Sequence, residues 1–223
     1  MHYVQKCDIM HMLIKDIFER GISMNHIITI GRQHGSGGRE IGALVSKELG
    51  IPFYDNDLIQ LAAEKSGFSE EHFRDYDKYA NNSFLYSLVR GFQYHQSATG
   101  VWSLEDKIYA TQSKVIRELA DKGPCIIIGR CADYILADRP ELVKIFIYGS
   151  IESRAERVAA RENITVEKAI DKIKSADKRR QNYYNYHADT KWGDAQHYNL
   201  CIDSSFCGVE KAASIICDFV KKV

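Results

Sequence analysis

The 223-residue sequence lacks three features that would place it in a specialised class of protein. It has no apolar run of the roughly 20 residues that a transmembrane helix needs. Lys and Arg number 30, as do Asp and Glu, so no overall field attracts nucleic acid. No two of its six cysteines have C-x-x-C spacing. We therefore expect no membrane, nucleic-acid or metal site, and free thiols typical of a cytoplasmic protein.

The sequence does contain an α/β pattern. Short, uninterrupted apolar runs alternate with amphipathic helical segments, and such runs are typical of strands buried in a parallel sheet. Strands are predicted at 27–30, 52–54, 125–128, 142–148 and 198–202, and helices at 39–49, 57–63, 103–120, 151–162, 165–184 and 209–220. We therefore predict a three-layer α/β fold in which helices cover both faces of a five-stranded parallel sheet.

The chain organisation predicts one domain with additions. Residues 24–223 form the domain, and an aromatic-rich stretch at about 69–100 is expected to be an inserted helical lobe. Residues 8–20 predict an amphipathic helix within an N-terminal extension, residues 1–23. Met24 directly precedes the first predicted strand and is an alternative start of the protein, so it is open whether the extension is native.

A glycine-rich turn joins the first predicted strand to the first predicted helix. Gly35, Gly37 and Gly38 have no Cβ, so successive backbone N–H groups can converge there, and the helix adds the positive end of its dipole. This order of strand, turn and helix is typical of a cradle for a phosphate group. The alternative is a tight strand-to-helix turn that binds nothing.

The turn departs from the Walker A pattern, G-x-x-x-x-G-K-[ST]. Gly38 occupies the lysine position, Arg39 follows it, and no Ser or Thr comes next to hold Mg²⁺. Arg39 is the candidate for the missing cation, although a guanidinium fork and an ammonium group differ in geometry.

Several arginines fall where a phosphate site would need cations. Arg130 follows the strand at 125–128, at the carboxyl end where parallel sheets bind ligands. The others lie on two consecutive helices: Arg154, Arg157 and Arg161 on the first, Arg179 and Arg180 on the second. The alternatives are a structural salt bridge for Arg130 and a solvated helix face for the rest.

Six segments together resemble the cytidylate-kinase-like branch of the P-loop nucleoside monophosphate kinases. They follow the family's order along nearly the whole chain: 27–42, 53–59 (FYDNDLI), 126–130 (IIIGR), 144–157, 177–180 (DKRR) and 200–204 (LCIDS). The resemblance implies a P-loop kinase fold, an acceptor-binding lobe at 69–100 and a lid at about 163–195. It also implies ATP with Mg²⁺ as donor, and γ-phosphate transfer to a nucleoside monophosphate such as CMP.

The resemblance also assigns roles to the candidate residues. Arg130 matches an arginine that holds the acceptor phosphate, and Arg179 matches a lid arginine that neutralises charge during transfer. The donor site is predicted to contain Gly35, Ser36, Gly37, Gly38, Arg39, Glu40 and Arg157, the acceptor site Asp57, Arg130 and Arg180, and the catalytic cations are Arg39, Arg130 and Arg179.

The residues expected to recognise the base of the acceptor depart further from the family pattern than the residues expected to bind phosphate. Ile128 stands where an Asp usually precedes Gly-Arg, and Tyr148 and Tyr183 replace charged residues. The acceptor is therefore open between a nucleoside monophosphate and a non-nucleotide small molecule. The competing hypothesis is a catalytically weakened nucleotide- or anion-binding protein that acts through partners, and a homodimer is left open.

Overall fold

The computed structural model describes residues 25–55 and 104–223. Its strands are β1 (Ile27–Arg32), β2 (Phe53–Tyr54), β3 (Cys125–Ile128), β4 (Leu142–Tyr148) and β5 (Leu200–Asp203). Its helices are α1 (Gly38–Leu49), α2 (Leu104–Ala120), α3 (Ala132–Ile135), α4 (Ile151–Glu162), α5 (Val166–His187), α6 (Ser204–Cys207) and α7 (Val209–Val220). The predicted helices at 8–20 and 57–63, the lobe at 69–100 and Asp57 lie outside the described residues.

The strands form one sheet in the order β2-β3-β1-β4-β5, and every neighbouring pair is parallel. β1 is central, since Ile28 pairs with Ile126 of β3 and with Val143 of β4. Parallel pairing brings the carboxyl ends of all five strands to one edge, where such sheets bind their ligands. The predicted five-stranded parallel sheet is confirmed.

The central strands divide their side chains between two cores because successive residues face opposite sides of a sheet. On one face, Ile28, Ile30, Ile126 and Ile128 pack with α1 and α7, and on the other, Ile27, Cys125 and Ile127 pack with α2 and α3. All seven side chains are at most 1% exposed. Helices therefore cover both faces, as the sequence pattern predicts.

Capping residues set the helix boundaries that position the site. Ser150 Oγ accepts the N–H of Ser153 at 3.2 Å where α4 begins. Thr165 Oγ1 accepts the N–H of Lys168 at 3.4 Å where α5 begins. Gly50 ends α1 in the left-handed conformation, with φ of 67°. All three boundaries agree with the prediction.

Three boundaries differ from the prediction by two residues or more. β1 runs two residues beyond 30 because β4 offers two further pairing partners. β5 begins at Leu200, and not at 198, because Tyr198 closes the 3₁₀ turn Ala195–His197. α5 continues to His187. The short helices α3 and α6, which follow directly on β3 and β5, are absent from the prediction.

The segment predicted as a lid consists mainly of α5. Ala169 and Ile173, in its first half, pack against α4. Tyr184, near its end, is buried in the core beside α2 and α3. Between them, Asp177 and Arg180 contact the glycine-rich turn. The helix therefore lies over the carboxyl edge of the sheet, and its movement as a lid stays a prediction.

Candidate functional site

The loop between β1 and α1 takes a backbone conformation that favours glycine at two positions. Gly35 has φ of 80° and Gly37 has φ of 76°, both in the left-handed region. A Cβ on Gly35 would stand 2.8 Å from the carbonyl oxygen of Arg154, and one on Gly37 would stand 2.9 Å from Cγ2 of Val209. Both glycines are thus required by conformation and by packing. The loop leads directly into the amino end of α1, where anions are favoured.

Hydrogen bonds with β4 and α6, and one within the loop itself, hold this loop in place. The N–H of Gln33 donates to the carbonyl of Ile147 at 2.9 Å, and the Ser36 hydroxyl donates to the carbonyl of Gln33 at 2.9 Å. The Ser204 hydroxyl, at the start of α6, donates to the carbonyl of Ser36 at 2.6 Å. Ser36 is 0% exposed. Its hydroxyl therefore supports the loop from within, and the predicted place of Ser36 in the donor site stays a prediction.

A buried ion pair clamps the loop at His34. Arg154 Nη1 lies 2.6 Å from Asp177 Oδ2 and donates to the carbonyl of His34 at 3.1 Å. Asp177 Oδ1 accepts the N–H of His34 at 2.6 Å. The pair therefore holds both sides of one loop residue and joins α4 to α5. The sequence offered Arg154 either as a cation of the phosphate site or as part of a solvated helix face, and the structure instead buries it in this ion pair.

The three arginines with helical spacing on α4 have three different environments. Arg154 is buried in the clamp. Arg157 Nη1 donates to the carbonyl of Gly35 at 2.8 Å, so its guanidinium lies against the loop. Arg161 pairs with Glu162 on the surface. Arg157 therefore contacts the loop through its guanidinium, and its role in the predicted donor site stays a prediction.

Arg39 extends toward the end of β2. Its Nε donates to Asp55 Oδ2 at 2.7 Å, and its side chain is 69% exposed. Arg32 Nη2 lies 3.8 Å from the other oxygen of the same carboxylate. Two guanidinium groups therefore share Asp55. The predicted role of Arg39 as a stand-in for lysine would require it to leave this ion pair, and that role stays a prediction.

Arg130 sits in a strained turn. Gly129, Arg130 and Cys131 have φ of 69°, 56° and 55°, so two residues with a Cβ adopt the left-handed conformation in succession. Each such residue costs on the order of 1–2 kcal/mol, and strain of this kind concentrates at functional sites. The N–H of Gly129 donates to the carbonyl of Ile30 at 3.1 Å, which places the turn beside the glycine loop. The predicted acceptor role of Arg130 stays a prediction.

The remaining predicted residues are less closely joined to the loop. Arg180 Nη1 donates to the carbonyl of Arg32 at 3.0 Å and so contacts the start of the loop. Arg179 Nη1 donates to Ser175 Oγ, one turn earlier on α5. Glu40 is exposed in the first turn of α1. Asp57 lies outside the described residues, so its predicted acceptor role stays a prediction.

Sequence reasoning did not select Arg32, Asp55 or Asp177 as site residues. The signals were available, since Arg32 directly follows the predicted strand and its glycine, and Asp55 directly follows the second strand. Both positions fall at the carboxyl edge of the sheet. Asp177 lies in the same helical segment as Arg180, three residues earlier. Its partner on α4 could not be identified without the packing of the two helices.

His34 is half-buried within the loop. Burial, and next to it the positive charge of Arg180, lowers the pKa of His34 from 6.5 to about 4. Burial likewise lowers the pKa of His187, at the end of α5, to about 4. In the described residues, Nε2 of each ring is buried without a hydrogen-bond partner. Protonation of either ring is therefore unfavourable in the folded protein.

We expect these histidines to make folding stability fall as the pH falls from about 6.5 toward 4. In that window the unfolded chain binds more protons than the folded chain, so acidification favours unfolding. The measurement is urea denaturation at pH 7 and pH 5, in the wild type and in His34→Gln/His187→Gln. The double variant should lose less stability between the two pH values, and an equal loss would contradict the prediction.

The fold and the loop together define the class of protein. A five-stranded parallel sheet with a glycine loop between β1 and the following helix is the arrangement of the P-loop kinases. A shikimate kinase from Bacteroides thetaiotaomicron superposes with a TM-score of 0.52, covering 88% of this chain and 98% of its own, at 13% identity. At that identity the similarity shows the fold alone. The predicted P-loop kinase fold is confirmed.

The chain belongs to the cytidylate kinase-like family, whose sequence model matches residues 27–206. A cytidylate kinase from Methanopyrus kandleri is 28% identical over 203 residues, which are 87% of this chain and 92% of the relative. An uncharacterized protein from Eubacterium ventriosum superposes with a TM-score of 0.66 at 27% identity, covering 89% of this chain and 99% of its own. Family and fold together support phosphoryl transfer to a nucleotide or another small molecule. In the described ranges, no helix combines the length and apolar character of a membrane span.

Proposed function

We propose that this protein transfers the γ-phosphate of ATP to a small acceptor that carries a phosphate, with a nucleoside monophosphate such as CMP as the favoured class. One observation carries the proposal: hydrogen bonds with β4 and α6 hold the loop from Gln33 to Gly37 in place, and the loop leads into the amino end of α1. Its two left-handed glycines have the backbone conformation that lets successive N–H groups converge in loops that bind polyphosphates. The curated relatives named cytidylate kinase support the acceptor class.

The loop divides the carboxyl edge of the sheet into two sides. On one side, β4, α6 and Arg157 contact the loop. On the other side, β3 and β2 present the turn at Arg130 and the carboxylate of Asp55. We assign the polyphosphate of ATP to the loop and the Arg157 side, and the acceptor to the Arg130 side. The γ-phosphate then lies between them.

The charged groups on the acceptor side favour a phosphate monoester over an alcohol. An alcohol must lose a proton during transfer and therefore needs a base, whereas Asp55 is already engaged by two guanidinium groups. A monoester offers an oxyanion that needs no base and that arginine binds well. Transfer breaks the bond between the γ-phosphorus and its bridging oxygen and forms a bond to the acceptor oxyanion, which yields ADP and a diphosphate.

The residues of the loop fit ATP, but they do not fit a protein-held Mg²⁺. Arg39 occupies the place of the Walker A Ser or Thr, and a guanidinium cannot ligate a cation. In residues 25–55 and 104–223, no group of three or more His, Cys, Asp or Glu could hold a metal ion. We therefore treat Mg²⁺ as part of the MgATP substrate, bound by the phosphates, and derive no step through it.

We expect ADP release that depends on an acceptor with a phosphate. The assay couples ADP release to NADH oxidation with MgATP and a panel of nucleoside monophosphates, nucleosides and sugar acids. Arg130→Gln should lower kcat/KM for the acceptor by roughly 100-fold, because one charged contact to the moving phosphate is lost, while the KM for ATP changes little.

Arg117→Gln is the matched control, since Arg117 pairs with Asp138 on the surface, far along the chain from the loop. It should leave both constants unchanged. Failure of every acceptor to raise ADP release above the rate without acceptor would contradict the kinase proposal.

A second candidate function, nucleotide binding without turnover, is favoured by one observation. Gly38 stands at the lysine position of the Walker A pattern, and the neighbouring Arg39 forms an ion pair with Asp55. This candidate predicts saturable ATP binding with no acceptor-dependent ADP release. The same panel therefore separates the two functions when it is accompanied by a binding titration.

A further inference from the structure

We propose, building on the phosphoryl transfer proposed above, that Arg32 is the catalytic cation that replaces the missing Walker A lysine. Its guanidinium is assigned to the phosphate that moves between ATP and the acceptor. The glycine at position 38 is then not a lost lysine but the residue that makes room for this arginine. Arg32 is the last residue of β1, so it enters the site from the strand and not from the helix that follows the loop.

Gly38 lies directly against the stem of Arg32. A Cβ built on Gly38 would stand 2.7 Å from Cβ and 3.0 Å from Cγ of Arg32. Gly38 is the first residue of α1 and is not among the glycines with positive φ. Its backbone therefore does not call for glycine. Arg32 fills the space that a side chain at position 38 would need. This excludes a lysine at that position.

Gly129 makes room for the other end of the same side chain. A Cβ on Gly129 would overlap Nη1 of Arg32 and would stand 3.0 Å from its Cζ. The Arg32 side chain therefore runs from Gly38 to Gly129, from the glycine loop to the turn that carries Arg130. Two glycines from separate parts of the chain define one path for one side chain. The path ends between the predicted donor and acceptor sites.

Neighbouring groups hold Arg32 in this position. Its backbone pairs with Ile147 of β4 and its carbonyl accepts Arg180 Nη1 at 3.0 Å. Its Nη2 lies 3.8 Å from Asp55 Oδ1, and its side chain is 22% exposed. A guanidinium fixed in this way is organised before the ligand arrives, which is what electrostatic stabilisation of a transferring phosphoryl group requires. Asp55 is then a positioning residue for Arg32.

The first test removes the charge and leaves a shorter, polar side chain. Arg32→Gln should lower kcat and kcat/KM by a similar factor of roughly 100 or more, because the interaction strengthens in the transition state. Its affinity for MgATP, measured by calorimetry, should change by less than about fivefold, because the loop amides remain. Arg32→Lys should recover part of the lost kcat, while Arg117→Gln should match the wild type.

The second test exchanges the two positions. Gly38→Lys restores the Walker A lysine but places a Cβ against Arg32, so we expect it to lower both the melting temperature and kcat. The double variant Gly38→Lys/Arg32→Gly removes the clash and supplies a lysine from the helix. Its kcat should exceed that of either single variant by roughly tenfold or more, a coupling expected only of residues that share one space and one role.

The outcomes separate this proposal from the function on which it rests. A wild type with no ATP binding and no acceptor-dependent ADP release would overturn the proposed function and the role of Arg32 with it. An active wild type whose kcat survives Arg32→Gln within twofold, or rises in Gly38→Lys with Arg32 intact, would overturn the role of Arg32 alone. A kcat lost in Arg32→Gln and regained in the double variant supports both.

Discussion

Arg154→Ala is expected to lower the free energy of unfolding by about 3–5 kcal/mol, the usual cost of removing one partner from a buried ion pair. Arg154 is 7% exposed, and its loss would take away the closer of the two cations beside the Asp177 carboxylate, leaving Arg180 Nη1 at 3.9 Å, and would leave the carbonyl of His34 without this donor. The guanidinium also donates to the carbonyl of Gly149 at 2.9 Å. For a chain of this length the melting temperature should fall by about 10 °C.

The matched control for this prediction is Arg117→Ala. Arg117 contacts both oxygens of Asp138 at 3.1 Å, but both side chains are exposed. Exposed pairs of this kind contribute about 0–1 kcal/mol. Urea denaturation of the two variants beside the wild type gives the comparison. Equal losses of stability in Arg154→Ala and Arg117→Ala would show that the clamp on His34 does not hold the loop.

Gly37→Val is expected to lower the affinity for MgATP by roughly 100-fold or more, the scale of effect seen when one aligned donor is lost from an anion site. Gly37 has φ of 76°, which a β-branched residue adopts only with strain. Its new Cβ would also stand 2.9 Å from Val209 Cγ2 and 3.3 Å from Arg157 Nη1. The loop must therefore shift, and the backbone amides would no longer converge on one anion.

Gly50→Val separates loss of the loop from general backbone strain. Gly50 has φ of 67°, and a Cβ there would meet nothing within 4 Å. It ends the same helix, α1, that Gly37 begins. Both variants should lose stability, but Gly50→Val should bind MgATP as the wild type does. An unchanged dissociation constant in Gly37→Val, measured by calorimetry, would contradict the prediction.

Most of the fold could be predicted because its signals are local. Continuous apolar runs mark β1, β3 and β4 as strands buried on both faces, and Ser150 and Thr165 mark the starts of two helices by side-chain capping. The 3₁₀ turn before β5 and the short helix α6 have capping aspartates, Asp194 and Asp203, but like α3 they are too short to show a periodic apolar pattern. They form where the chain turns tightly after or before a strand, and tertiary packing determines their conformation.

The site was only partly predictable because its chemistry depends on contacts between distant segments. The glycine loop and Arg130 follow from sequence, since a strand followed by glycines or by Gly-Arg places them at the carboxyl edge. Arg154, Arg157 and Arg161 have helical spacing, but that spacing could not show which groups they contact. Arg154 pairs with Asp177, Arg157 donates to the carbonyl of Gly35, and Arg161 pairs with Glu162. Likewise, the sequence offered Arg39 for the missing lysine, whereas the space beside Gly38 belongs to Arg32.

Polyphosphate binding by the glycine loop is tested most directly by a calorimetric titration of the wild-type protein with MgATP and with inorganic tripolyphosphate. If the backbone amides of the loop hold a polyphosphate chain, both ligands should bind saturably, compete with each other, and lose affinity in Gly37→Val but not in Gly50→Val. Absence of binding by both ligands, or binding that Gly37→Val leaves intact, would contradict it.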